Sequence, residues 1–524
     1  MQAPLPLDSL NFDGTSYDMG WKLDQPDTHG SLSLPTAEYS LYLISAVKFH
    51  CGQLFHLYDE KDFMYHVCLH HEDPSGVSSL WYVHYLFILS FGKALVANDN
   101  KTHTPPGTDL FLYAMKRLHE FVVFDTSCNP IELAEVLCCA SLYLHCVDFR
   151  SASYRMIGQA IRVALGDGMH TKVHCHDMDS TRSERCRRVW WTIYILDRQM
   201  SSLMGVPMGI PEEQIEAGLP TFPGQPQKSM GLEIQIKLSK VLAQILNTVY
   251  GVEGRLDKCF LATMKDALRN IASVTDQLND SFGIARLGLE GGVCRLSSSL
   301  HVLHHQCIVI ATRPLLYTFL QARLGQSDLS VAHVHCSGSI RSLILMCIES
   351  AQQILTILAS LQRENLLESF LRLDLDAIFA ASVALVVATA IDAALVKDQQ
   401  FWSKSCHSLL GHMIHRGNML AVQFKAEIKI LEDMCSRLRA GWGAQDRCQS
   451  PSSEIGTKIC NDDSEFLVLG TSALDSLDVG EGSPKDVEED GEFDMAEFVW
   501  QEGYTTEQLL TFANSIDLNY LDSL

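Results

Sequence analysis

Between Gln227 and Ser450 this sequence places one proline, Pro314, out of 16 in a chain of 524 residues. Strands need frequent turns, and turns attract proline and glycine, so a proline-poor stretch of this length favours long helices. The apolar spacing agrees. Val189, Ile193, Leu196, Met200 and Leu203 fall at i, i+4, i+7, i+11 and i+14, one helical stripe. Trp191 and Ile195 widen the stripe, which predicts a helix buried on most sides. Its polar start (Ser180, Thr181, Ser183, Glu184) suits a cap, and Gly205 and Pro207 mark its end. Ile210-Pro211-Glu212-Glu213 then reads as a short helical start, with acids at the positive end of the dipole. Further helices are expected at about 36–50, 78–97, 108–124, 130–147, 152–166, 231–250, 256–279, 296–321, 338–364, 374–397 and 405–438. No tandem repeat of fixed period is visible. The expected fold class is all-α, a large multi-helix body.

A hydrophobic share of 47% is enough for a large core and excludes wholesale disorder. The longest uncharged apolar run of interest, Ala377 to Ile391, is bracketed by Asp376 and Asp392 and falls short of the roughly 20 residues a bilayer requires. No membrane span is therefore expected. The 17 cysteines are irregularly spread, several of them inside apolar helical runs (Cys138, Cys139, Cys146), and are read as reduced core thiols.

Charge divides the chain. There are 40 basic and 63 acidic residues, a net of -23. The 64 residues from Asn461 to Leu524 carry 17 acids and one base, Lys485, which leaves 39 bases and 46 acids for the rest, only -7. The expected organisation is a short acidic leader over 1–34, a helical body over 35–440, and a linker with an acidic, disordered tail over 441–524. So acidic a chain is repelled by phosphate backbone unless it has a local basic face. Arg182, Arg185, Arg187 and Arg188 form the only concentrated basic run, but they open the buried Trp190-Trp191 helix. A structural role, pairing with acids or stacking on aromatic rings, is expected for them.

Metal and catalytic signatures are absent. A zinc cluster needs cysteine pairs about two residues apart, and no C-x-x-C occurs. Cys139 and Cys146 read as buried small hydrophobes. His174, Cys175, His176 and Asp177 read as loop polarity, and His301, His304 and His305 lack a third ligand by spacing. No H-E-x-x-H, G-x-S-x-G, phosphate-cradling loop or dinucleotide fingerprint is present. Gly166-Asp167-Gly168 reads as a helix C-cap, and Asp374 with Asp376 as a cap or solvated face. No catalytic residue, cofactor or metal is expected in this chain.

The segment from Tyr154 to Gly166, then Arg187-Arg188-Val189-Trp190-Trp191-Thr192-Ile193-Tyr194-Ile195-Leu196-Asp197-Arg198, then Gly205-Val206-Pro207 and Leu219-Pro220, resembles the fungal-specific transcription factor domain, the middle homology region of fungal zinc-cluster regulators. Trp81 to Ala94 and Leu303 through Arg313-Pro314-Leu315-Leu316 are similar to flanking elements of that family. The resemblance covers roughly residues 35 to 435. It implies that Arg187, Arg188, Trp190, Trp191, Tyr194, Asp197, Arg198, Gly205, Pro207, Arg313 and Pro314 hold the core and bind nothing. Asp197 and Arg198 are expected to pair with neighbouring helices, most economically through Arg187 or Arg188. Gly166-Asp167-Gly168-Met169-His170 and Val206 depart from the family pattern, both in loops. Full-length members carry an N-terminal six-cysteine zinc cluster that reads the major groove. Here the first cysteine is Cys51, inside the expected body. Zinc would enter only if an N-terminal cluster is missing from the sequence.

In the tail, Phe493, Met495, Phe498, Val499 and Trp500 alternate with acids, and Leu509, Leu510, Phe512, Ile516, Leu518, Tyr520 and Leu521 form a second block. Acids keep bulky apolar groups in water until a hydrophobic groove accepts them, the pattern of activation segments that fold on a coactivator. Docking on its own body and a solubilising role are the competing readings. The function expected is a nuclear transcriptional regulator, an activator whose tail recruits the transcription machinery. DNA contact would be indirect, through a zinc-cluster partner; a second copy of the chain is the other partner expected. Control of a specialised-metabolism gene cluster is what the resemblance implies. The alternatives are a truncated form of a DNA-binding zinc-cluster protein and a metabolite-sensing helical regulator, although no convergent polar set is visible in the sequence.

Overall fold

The computed structural model describes residues 14, 16–20, 32–97, 103–125, 127–172, 180–206, 208–249, 258–283, 294–324, 338–448 and 504–516. Among them the chain is all-α, as expected, with fifteen α-helices. In chain order they are α1 (Ala37–Cys51), α2 (Glu60–Glu72), α3 (Ser79–Val96), α4 (Thr108–Val123), α5 (Pro130–Cys146), α6 (Arg150–Gly166), α7 (Ser180–Met204), α8 (Pro226–Val249), α9 (Lys258–Phe282), α10 (Arg295–Leu324), α11 (Gly338–Arg363), α12 (Arg372–Ile391), α13 (Gln399–His415), α14 (Met419–Cys448) and α15 (Thr506–Ser515). A 3-10 turn at Glu212–Gln214 realises the short start expected after Pro211.

Local chemistry sets many boundaries. Ser78 caps α3 by accepting from the Trp81 amide, and Asn129 caps α5 by accepting from Ile131. The Gly166-Asp167-Gly168 turn closes α6: Gly168 takes φ +76°, and the Met169 amide reaches back to the Ala164 carbonyl. Three expectations need correction. Helix α2 was not anticipated; it buries only Phe63, Val67 and His70. The helix expected over 374–397 ends at Ile391 and is followed by a 3-10 turn at Ala393–Leu395. The helix expected over 405–438 is two, broken at Gly417, whose φ of +86° no helix accepts.

Helices α3, α5 and α7 form the interior of the first half. α3 lies against α1, α4 and α5, and α7 against α5, α6 and α8. Gly92 lets α3 cross α1 at backbone contact, since a Cβ there would sit 2.7 Å from Leu43. In the second half α10 is central, packing on α8, α9, α11 and α12, and α12 packs in turn on α11, α13 and α14. Gly231 touches Leu296, and Arg295 binds Asp374, which brings the early turns of α8, α10 and α12 together. Two contacts tie the halves: the buried ion pair of Arg372 with Asp148 at 2.5 Å, and a half-buried hydrogen bond between His50 and Glu368 at 2.5 Å.

Ser79–Val96, Ile340–Arg363 and Arg372–Ile391 are long and apolar enough to cross a membrane by length and composition alone. The last corrects the sequence estimate, which stopped at Asp376. Asp376 and Arg372 pair with each other at 2.8 Å, so the helix carries its charges inward and runs longer. Within the fold 67–78% of each span is covered by neighbouring helices, so their apolarity has an internal use.

Candidate functional site

The R-R-x-W-W-x-x-Y-x-x-D-R motif occupies the middle of α7. Trp190 is 1% exposed and Arg198 likewise 1%, so the motif is a core element. The Arg198 guanidinium stacks 3.7 Å from the centroid of the Tyr194 ring and donates to Asp197 (3.1 Å), the Ile210 carbonyl (3.2 Å) and Glu212 (3.1 Å). The Tyr194 hydroxyl donates to the same Glu212 carboxylate at 2.5 Å, and the Trp191 indole donates to the Gly218 carbonyl at 2.9 Å. Burial pushes the Asp197 carboxyl up, against the pull of Arg198. The motif thus clamps the segment from Ile210 to Phe222 onto α7.

The expected pairing of Asp197 and Arg198 with Arg187 or Arg188 does not occur. Arg187 bonds Glu184 one turn back, while Arg188 donates to the Thr221 carbonyl and covers the Phe222 ring at 4.8 Å. Adjacent Asp197 and Arg198 satisfy each other, and the nearer acids take the other arginines. Arg185 binds Glu135 through two bonds of 2.9 and 2.6 Å and Asp62 through one of 2.7 Å. Burial raises the Glu135 carboxyl, but Arg185 and His56 outweigh it and hold it at about 2. Three of the four arginines in the basic run, Arg185, Arg187 and Arg188, are therefore engaged within the fold. Gly205 ends α7 with φ +63°. Pro207 lies outside the described residues. Pro314 sits inside α10, with Arg313 beside it over the Tyr317 ring at 5.8 Å.

No group of three metal-ligating side chains occurs among the described residues. His301 bonds the Phe282 carbonyl at 2.9 Å and His304 bonds Thr275 at 3.0 Å. Burial holds His301 down at about 4 and His304 at about 3. Asp374 is bound through two bonds by Arg295 at 2.8 and 2.9 Å. The cluster at His174, Cys175, His176 and Asp177 lies outside the described residues. The twelve cysteines whose side chains the structure describes are free thiols.

The second tail block contributes α15. Its start is a complete capping box between Thr505 and Gln508. Leu509 and Ala513 are fully buried against the body, Ile516 and Tyr504 nearly so, while Phe512 is half-buried and Leu510 exposed. The helix lies on α9 and touches α11. Its bonds are peripheral: Thr506 to the Ala272 carbonyl (2.8 Å), Arg269 to Asn514 (3.0 Å) and Tyr504 to Glu349 (2.5 Å). Phe493, Phe498 and Trp500 lie outside the described residues.

Sequence reasoning missed a cleft of about 510 Å³ lined by residues of α5, α6, α7, α8, α10, α12 and α14. His145, Arg150, Gln199, Gln235, Arg372 and Asp376 supply much of its polar lining, and Arg313 also faces it. They come from six helices, so no spacing in the chain announces them.

Residues 47–280 match the profile of the fungal specific transcription factor domain, and the chain carries that domain. An uncharacterized transcriptional regulatory protein of Schizosaccharomyces pombe is 23% identical over 54% of this chain and 37% of its own length. Activator of stress genes 1 of Saccharomyces cerevisiae is 24% identical over 41% of this chain and 24% of its own. The thiamine repressible genes regulatory protein of Schizosaccharomyces pombe is 20% identical over 58% of this chain and 39% of its own. The chain thus spans between about a quarter and two fifths of the length of these curated relatives. No solved structure matches.

Proposed function

We propose that this chain is a nuclear transcriptional activator and not an enzyme. The helical body acts as a regulatory scaffold and the acidic tail recruits the transcription machinery. In this reading DNA is reached through a zinc-cluster partner, supported by the engagement of Arg185, Arg187 and Arg188 within the fold. The specialised-metabolism target remains part of this proposal and rests on the resemblance alone. The observation that carries the activator reading is α15: an acidic tail contributes a helix with its own cap and an apolar face, Leu509 and Ala513, able to enter a groove. On the body that face is covered, so the activating state is the undocked one. Residues 461–524 tethered to a foreign DNA reader should drive a reporter, and Phe493→Ala, Phe498→Ala and Trp500→Ala together should silence it. A silent wild-type tether overturns the proposal.

A further inference from the structure

We propose that the strap formed by Gly14 and residues 16–20 is an exchangeable latch across the seam between the two halves, and that its seat accepts an extended Tyr-x-Met peptide supplied in trans. The proposal goes beyond the activator reading and stands if that fails, because its test involves no DNA and no tail.

The strap alternates. Tyr17 and Met19 are 5% and 6% exposed, while Asp18 and Gly20 face solvent, the period-two pattern of an extended chain with one face on the core. Its hydrogen bonds step from one half to the other and back. The Gly14 amide donates to the Asp148 carbonyl at 3.0 Å, at the turn between α5 and α6. The Ser16 hydroxyl donates to Gln423 of α14 at 2.8 Å, and the Tyr17 hydroxyl accepts from the Met419 amide at 3.1 Å. The Asp18 amide then donates to the His103 carbonyl at 3.1 Å, and the Asp18 carbonyl accepts from the Thr104 hydroxyl at 2.9 Å, both between α3 and α4. Met419 is the first residue of α14, where an amide has no acceptor within its own helix, and the Tyr17 oxygen supplies one.

Asp148 couples the strap to the seam. Its backbone is left-handed, with φ of +66°, a conformation that an aspartate keeps only where its surroundings hold it. Its carbonyl holds Gly14, and its carboxylate holds Arg372 at 2.5 Å and Arg150 at 2.9 Å. Release of Gly14 therefore loosens one of the two contacts that tie the halves. Phe370, just before α12, lies on the same seam, its ring 5.6 Å from that of Phe91 and 5.5 Å from that of Tyr143. A short strap held by two buried side chains and a few hydrogen bonds opens at lower free energy than the helices beneath it. The seat left behind offers a buried ring site with one amide donor, a second apolar site two residues on, and a carbonyl and a hydroxyl for the peptide backbone between them. A Tyr-x-Met segment in extended form answers all of these.

The test is amide hydrogen exchange of the full chain beside Tyr17→Ala. The amides of Glu368 and Phe370 bond to the Asp374 and Glu368 carboxylates within the seam and not to the strap. In Tyr17→Ala they should exchange about tenfold faster or more, since a large buried side chain is lost. Tyr17→Phe keeps the ring and should speed exchange chiefly at Met419. A peptide with the sequence of residues 14–20, added at about 1 mM, should slow the Glu368 and Phe370 amides of Tyr17→Ala again. The same peptide carrying Tyr17→Ala should not. Where Tyr17→Ala loses its helical circular dichroism, Gly14→Ala decides by the same readout, because a Cβ there would sit 2.8 Å from the Phe149 ring at a φ of +78°. Faster exchange confined to the strap and Met419, or seam amides that the added peptide leaves unchanged, overturns the latch.

Discussion

Helices α7 and α15 both place aromatic and aliphatic side chains beside charges, yet the fold holds them in opposite ways. In α7 fourteen of 25 residues are buried, and its arginines are answered by acids from α2, from α5 and from the segment that follows. In α15 two of ten residues are buried, and the bonds from it and from Tyr504 just before it are to side chains and carbonyls of neighbouring helices, with no ion pair among them. Opening free energy tracks buried apolar contact, so α15 belongs to the part of the molecule that leaves first. Composition alone does not separate a fixed helix from a detachable one; the location of each charge's partner does.

The widest gap between the two should appear when a buried partner is removed. Arg185→Ala leaves Glu135, which is fully buried, without its main counter-charge, and should cost about 3–5 kcal/mol in chemical denaturation. Acid should act next. His301, His304 and His305 are held neutral in the folded chain but protonate near 6.5 once unfolded. The unfolded state then binds more protons, so stability is full above pH 6.5 and falls as pH drops toward 4. Each such histidine contributes about 2 kcal/mol of loss between pH 6.5 and 5. The denaturation midpoint of His304→Gln should therefore depend less on pH over that range than that of the parent chain. A midpoint that does not move with pH would mean these rings are solvated.

Leu509→Ala tests the other side. It should remove amide-exchange protection over 504–516, while the main unfolding transition shifts by no more than about 1 kcal/mol. A large shift of that transition would show α15 to be integral to the body. Smallest of all should be Arg187→Ala, which breaks a partly exposed pair with Glu184 and should change stability by less than about 1 kcal/mol.

Much of this fold was legible because its helices are long and their apolar stripes dense, as at Val189 to Leu203. Helix α2 was not, because its stripe is three residues, Phe63, Val67 and His70, inside a run of acids and histidines. Its i, i+4, i+7 spacing is the signal that could have found it. The break at Gly417 was hidden because α13 and α14 present similar patterns on both sides. The arginines' structural role could be read from the buried helix they open, but their partners could not: Glu135 lies 50 positions from Arg185 and Asp62 lies 123. The cleft is the extreme case, since His145, Gln235 and Arg372 meet only through packing.

Helix α10 has a further consequence. The domain match ends at residue 280, near the close of α9, whereas α8 and α9 bury their apolar faces under α10, which in turn lies on α11 and α12. A chain cut where the match ends would keep the whole signature helix and still expose the undersides of α8 and α9. The stretch covered by the domain profile is thus smaller than the stretch that packs as one body. A gene split or recombined at that boundary would yield two sticky halves, and a fragment for crystallisation should run at least through α14.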